Sequence, residues 1–382
     1  MNKIGIASPY RVANYGTKLQ AYAISEYIKN ITGKETEIIN FAPSDDHRIQ
    51  VILRKVFSCK RNIARIKKIV MNKKNRKNDI SRKQLERVRA INKFDDMLPL
   101  GEKIKNWNEL KESSKQYDCV ICGSDQIWLP DNLKDKYYTL EFCDDDVKKG
   151  SYAASLGVEV LNNRQKKKYA KFLNKLDFIS VRENIGRDLL KSFYNKKDVT
   201  WVCDPTLLLT KKQWSDVEER PKVLDSISGD YVFCYFLGTN EEHRQVVYKY
   251  AKEKKLKILS IANFKGICES DTKLSDFQLY NLTVNEFLYL IHHSTMVCTD
   301  SMHATIFSII FETNFITFER FKNSDSDSRN SRIYSLLKVM KLEDRLYRGG
   351  KIIEKQIDYH EDIENREKYI NYSKNYIIKE IV

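Results

Sequence analysis

The sequence predicts an α/β protein made of two parallel-sheet units, on three observations. Its 382 residues exceed what one core ordinarily supports. The chain opens strand, helix, strand within about forty residues, the beginning of a βαβ sheet. That alternation starts afresh near Asp230.

The elements follow in order. Residues 3–8 (KIGIAS) read as a first buried strand and 14–16 as a turn; Leu19, Ala23, Ile24, Tyr27 and Ile28 then recur at helical spacing. Residues 36–41 (TEIINF) alternate as a second strand. Beyond them Ile52, Val56, Ile63, Ile66, Ile69 and Val70 thread a run of charges and predict amphipathic helix in at least two pieces. Residues 118–122, 149–155, 178–182 and 200–204 read as further strands, the last stopped by Pro205. In the second unit 231–237, 256–261, 296–299 and 315–318 are strands, and 241–254, 284–293 and 304–311 are helices. The expected division is 1–215 with a basic helical insertion at 50–95, then 216–350, then an amphipathic helical tail at 351–382. Two such units leave a cleft between them, where ligands bind.

Composition removes several function classes. With 42% hydrophobic residues, only 6 Pro and 13 Gly, the chain is neither collagenous nor low-complexity. No apolar run reaches the length of a membrane span, and the start lacks the apolar core and cleavage site of a signal peptide, so a cytosolic protein is expected. The 8 cysteines do not suggest a disulfide framework. Cys119 and Cys122 lie three apart on a predicted strand, facing opposite ways, and read as buried thiols rather than metal ligands. No metal is expected: His292 and His293 are adjacent rather than at i, i+4.

The formal charge of +15 is concentrated. Between residues 54 and 93 sixteen Lys or Arg face only Asp79 and Glu86, a net +14. One reading is a solvated face on a peripheral insertion. The other is docking on an anionic membrane, each basic residue contributing on the order of 1 kcal/mol. Nucleic acid is not expected, because the interleaved residues are aliphatic and offer no stacking platform.

The segments NYGTKLQAYAI (14–24), YDCVICGSDQIW (117–128), SYAASLG (151–157), ISVREN (179–184), CDPTLLL (203–209) and TDSMHATIFSIIF (299–311) together resemble the polysaccharide pyruvyl transferase family, in the family's order. The resemblance implies two Rossmann-like domains facing across a cleft, similar to the GT-B glycosyltransferases. It implies transfer of a pyruvyl group from phosphoenolpyruvate to a sugar of a cell-surface polysaccharide or its lipid-linked precursor, forming a cyclic ketal. That chemistry needs a general acid for the methylene carbon and cations for the donor's carboxylate and phosphate; it needs no cofactor.

The family's functional arginine and histidine correspond here to Arg182 and His303. Arg182 closes a predicted strand, the edge at which open α/β sheets bind ligands, and is expected to grip the donor; the plainer alternative is an ion pair with Glu183. His303 opens a helix behind Asp300 and Ser301, both suited to cap it, and is expected to bind the donor or deliver a proton; the plainer alternative is a structural histidine. Some branches of the family carry Arg where this chain has Ser301, so Arg320, Arg329 or Arg332 is expected to supply the second cation, with Ser301 and Arg332 counted among donor-binding candidates. Asn14, Tyr15 and Gly16 form the first strand-to-helix turn, whose backbone amides are candidates to meet a sugar or an anion, and Gly123, Ser124, Asp125 and Gln126 form the analogous later one; both are candidates for the acceptor. Asp125 either handles an acceptor proton or caps a helix. The competing function is a glycosyltransferase of similar fold using a nucleotide sugar, with Glu312 or Glu319 on the ribose.

Overall fold

The computed structural model describes residues 3–43, 74–263, 269–321 and 329–381. The helices expected across 52–70 lie outside them. Two parallel sheets form the frame. The first has strands β1 (Lys3–Ala7), β2 (Glu35–Ile38), β3 (Cys119–Cys122), β4 (Lys148–Ala154), β5 (Phe178–Val181) and β6 (Thr200–Trp201), in spatial order β2-β1-β3-β4-β5-β6. The second has β7 (Tyr231–Tyr235), β8 (Lys257–Ile261), β9 (Phe277–Leu279), β10 (Met296–Thr299) and β11 (Phe315–Thr317), in order β11-β10-β7-β8-β9. Both are doubly wound, Rossmann-like sheets, and their order reverses beside β1 and β7 respectively.

Helices α1 (Tyr15–Thr32), α2 (Lys74–Asn92), α3 (Trp107–Ser114), α4 (Asn163–Leu173), α5 (Asn184–Lys191) and α6 (Lys211–Ser215) belong to the first unit's sequence. Helices α7 (Glu241–Lys254), α8 (Glu269–Leu274), α9 (Val284–His292), α10 (Met302–Phe311), α11 (Ser331–Met340) and α12 (Ile363–Ile381) complete the chain. Among the described residues no helix is long and apolar enough to cross a membrane.

Local chemistry sets these boundaries. Asn14 caps α1 by accepting from the Thr17 amide, and Gly33 ends it in the left-handed conformation with its N–H on Lys29 O. Every residue of β3 (CVIC) is buried, as helices on both faces of a parallel sheet require. Cys119 packs into the core on one face and Cys122 into the core on the other. Burial pushes the Cys119 thiol up to about 12, so it is inert near neutral pH.

The two units share one core. Tyr15 of α1 stacks on Phe287 of α9, centroids 4.5 Å apart, meets Tyr235 edge-on, and donates its hydroxyl to Leu282 O at 3.0 Å. Trp214 meets Phe307 of α10 edge-on at 4.9 Å. Arg87 of α2, 3% exposed, donates to Tyr280 O at 3.2 Å, so this arginine of the basic segment is built into the fold, while Arg82 and Arg89 stay exposed. The final helix, α12, returns to the first sheet: its Ser373 Oγ accepts from the Cys203 amide, and Tyr369 packs on Trp201.

Candidate active site

The carboxyl ends of both sheets converge. Loops after β1, β3, β5 and β6 bring Gly16, Asp125, Arg182 and Asp204, and the turn after β10 brings His303. Open α/β sheets bind ligands at this edge.

Asp204 is the centre of the cluster and is fully enclosed. Its Oδ2 accepts from Arg182 Nη1 at 2.8 Å and lies 3.5 Å from His303 Nε2. Its Oδ1 accepts from the Thr206 amide and hydroxyl. Burial alone would raise its carboxyl; His303, Arg182 and the Thr206 amide outweigh that and hold it well below the usual range.

Arg182 is 6% exposed and faces three carboxylates: Glu183 at 3.0 Å, Asp204 at 2.8 Å and Asp125 at 3.9 Å. Burial opposes its charge, and the three acids overcome that and raise its pKa. Arg182, expected to grip the donor, is thus held among three carboxylates. Its cation is already compensated, and the plainer alternative, an ion pair with Glu183, is present. One nitrogen, Nη2, is buried without a hydrogen-bond partner, as is His303 Nε2.

Arg332, on α11, lies beside this cluster, its charge opposed by burial and by Arg182's repulsion. Among the described residues no carboxylate pairs with it; its Nε donates to Arg329 O at 3.3 Å. Burial first, then repulsion from Arg182, push it down to about 10, which leaves it charged near neutral pH. Arg182, Asp204, Met302 and Arg332 line a cavity of about 20 Å³, room for one water. Arg320 is engaged elsewhere, donating to Asp300 O at 2.8 Å.

His303 owes its position to Gly16. A Cβ on Gly16 would lie 2.1 Å from His303 Nδ1, so only glycine lets the start of α1 meet the imidazole. Gly123 is equally constrained, at φ 155° with Tyr152 O 2.0 Å from where its Cβ would be. Asp125, half-buried at φ 68°, accepts from Thr17 Oγ1 at 2.8 Å; burial works to raise its carboxyl, and Arg182, His303, Thr17 and Arg332 together lower it.

Three candidates have their side chains engaged within the fold. Tyr15 is 1% exposed and its hydroxyl is used across the seam. Ser124 is buried, its hydroxyl donating to Ala153 O and its amide to Gln20 Oε1. Ser301 caps α10 by accepting from the Ala304 amide and is likewise buried. Asn14 remains half-buried beside Asp125's partner Thr17. Sequence reasoning missed Asp204 as a partner in the cluster. Asp204 had a signal, an acid set between a buried strand and proline in CDPTLLL. Gln126, placed by the sequence in the later turn, accepts at Oε1 from Arg329 Nη1 at 3.0 Å across the cleft, a contact the sequence did not signal.

Two Rossmann-like units presenting a shared Arg–Asp–His cluster at their facing edges define a GT-B-like enzyme. The chain belongs to the polysaccharide pyruvyl transferase family, whose profile matches residues 14–323. Among curated proteins none matches the chain. Solved structures share the fold: a candidate UDP-N-acetylglucosamine 2-epimerase of Listeria monocytogenes (10% identity, TM-score 0.53, covering 97% of this chain and 90% of that one). MnaA of S. aureus with UDP (12%, 0.50, 98% and 91%) and the UDP-GlcNAc 2-epimerase of Neisseria meningitidis (9%, 0.49, 100% and 99%) are similar too.

Proposed function

We propose that this enzyme transfers the pyruvyl group of phosphoenolpyruvate to a saccharide, closing a cyclic ketal and releasing phosphate. One observation carries the reading. Asp204 is shared by an arginine of the first unit and a histidine of the second, beside Arg332, a cation without a carboxylate partner among the described residues.

Arg332 takes an anionic group of the donor, whose charge offsets its repulsion from Arg182. Arg182 acts at one remove, holding Asp204 and Glu183. His303 gives a proton to the methylene carbon, making C2 electrophilic. A first sugar hydroxyl adds to C2 and its proton returns to the imidazole. The second hydroxyl then forms a C2–O bond as the C2–O bond to phosphate breaks, and its proton leaves with phosphate. Asp125, kept ionised by its cationic neighbours, accepts a hydrogen bond from an acceptor hydroxyl and orients it.

A nucleotide-sugar donor is less well served. The Leu237 and Gly238 amides after β7, where a diphosphate would seek donors, both donate to Asp300 at 2.7 Å. Glu312 caps the far end of α10 from His303 and pairs with Lys211. Glu319 accepts from Tyr334 and pairs with Arg348.

The test is phosphate release from phosphoenolpyruvate with a panel of oligosaccharides. His303→Ala is expected to lower kcat by about 10²–10⁴, and Arg332→Ala to raise the donor's KM. Turnover by His303→Ala at the wild-type rate, or stabilisation by UDP-sugars and not by phosphoenolpyruvate, would sink the proposal.

The acceptor in this reading is a cell-surface polysaccharide or its lipid-linked precursor, met at the cytoplasmic face of the membrane through the eleven Lys and Arg of residues 54–77. Changing those eleven to Gln is expected to abolish sedimentation with anionic vesicles and spare turnover on a short soluble acceptor. Unchanged sedimentation would rule the membrane contact out.

A further inference from the structure

We infer that Glu218, His292 and His293 form a site for a divalent transition-metal ion of the zinc class, joining the segment between the two sheets to α9. The sequence spacing of the histidines gives no hint of it, because the third ligand comes from 74 residues away. Glu218 Oε2 lies 2.9 Å from His292 Nδ1 and Oε1 lies 3.0 Å from His293 Nε2. One ligand atom from each residue falls within 4.8 Å of the others. A tetrahedral ion with bonds of about 2.0–2.1 Å spaces its donors about 3.3 Å apart. The trio needs its ligand atoms to draw in from within 4.8 Å toward that spacing on binding.

Adjacent histidines normally point away from each other. Here His292 is the last residue of α9 and His293 is its C-cap, where φ −101° and ψ 10° turn the chain out of the helix. One ring presents Nδ1 and the other Nε2, so both reach the same carboxylate. Each ring also lies on an aromatic face: His292 on Phe311 at 4.4 Å and 12°, His293 on Tyr289 at 4.0 Å and 26°. These stacks hold the ring planes, so little side-chain freedom is lost on binding. The side chains are 13% exposed for Glu218, 21% for His292 and 41% for His293, recessed yet open enough for an ion to enter with water as fourth ligand.

Two imidazoles and one carboxylate suit zinc, cobalt or nickel; magnesium and calcium prefer oxygen alone. On binding, the lone pairs of Nδ1 and Nε2 and one carboxylate oxygen turn to the ion, and each ring's proton resides on its other nitrogen. The segment is already laid along α9, since Asn285 Nδ2 donates to Val217 O at 2.7 Å and the Glu219 amide to Asn285 O at 3.2 Å. The ion would staple that seam. None of the three ligands belongs to the Arg182–Asp204–His303 cluster, so this inference stands apart from the pyruvyl-transfer reading.

The test uses untagged, full-length protein stripped with chelator and titrated with Zn²⁺ alone by calorimetry, and with Co²⁺ alone by visible absorption. A single equivalent of Zn²⁺ and the intense band of four-coordinate Co²⁺ are expected. His293→Asn and Glu218→Gln should each weaken Zn²⁺ binding at least about tenfold, and His360→Asn, at an exposed position, should leave it unchanged. Both ligand variants are checked for folding by thermal melts, and either one that folds suffices. No stoichiometric Zn²⁺ on the wild type, or equal binding by a folded ligand variant, overturns the proposal.

Discussion

Arg182 at 2.8 Å and His303 at 3.5 Å reach the same oxygen of Asp204, and its carboxyl is held well below the range of an ordinary aspartate. Because its folded pKa is depressed, the stability it contributes is complete above the unfolded value of about 3.9 and is lost as pH falls toward the folded one. Asp204→Asn removes the charge while keeping the shape, and leaves Arg182 buried with Glu183 as its close partner. We expect urea unfolding near neutral pH to show a loss of about 3 kcal/mol. Below about pH 4 the gap between variant and wild type should narrow, because the wild type alone must take up a proton there. A gap that stayed constant down to acid unfolding would mean the carboxyl is not held ionised by its neighbours.

At the scale of elements, the start of α1 and the start of α10 meet at one point, Gly16 against His303. Gly16→Ala puts a methyl 2.1 Å from Nδ1 and 2.8 Å from the histidine's own Cβ, so the whole imidazole must move. We expect a stability loss of about 1–3 kcal/mol and, with His303 as the proposed proton donor, a fall in kcat of about 10² from its displacement. Wild-type phosphate release by Gly16→Ala would separate His303 from the chemistry. The elements themselves were largely legible. Strands such as CVIC and YVFCY are buried on both faces, so their unbroken apolar runs mark them. Helices α4 and α5 went unread for the opposite reason. In NRQKKKYAKFL only Tyr169, Phe172 and Leu173 are buried, so a charged face hides a narrow apolar stripe. The strand expected at 200–204 shrinks to Thr200–Trp201, because Asp204 leaves the sheet to cap the turn at Pro205–Leu208. The site was legible residue by residue but not as a constellation. Motifs pointed to Arg182 and His303, whereas the third partner, Asp204, and the neutralisation of Arg182 depend on loops that meet only after folding.

For the whole molecule, the candidate site requires the two sheets to keep their facing edges in contact, and Tyr15 is one of the side chains that cross the seam. It leaves the first unit to stack on Phe287 and to donate to Leu282 O, all within the second unit, and it immediately precedes Gly16. Tyr15→Phe keeps the ring and drops one buried hydrogen bond, an expected loss of about 1 kcal/mol with turnover nearly unchanged. Tyr15→Ala removes the stack as well and opens a void in the shared core, an expected loss of about 3–5 kcal/mol. Its effect should extend to catalysis, because slack at residue 15 is slack at Gly16 and so at the distance from His303 to Asp204. The measurement is a pair of urea melts with steady-state phosphate release under conditions where each variant is more than nine-tenths folded. If Tyr15→Ala unfolded more easily but turned over at the wild-type rate per folded molecule, the seam would support the fold without aligning the cluster. A matching drop in kcat that Tyr15→Phe does not show would tie the alignment of His303 on Asp204 to the ring itself, since the ring is what the two variants do not share.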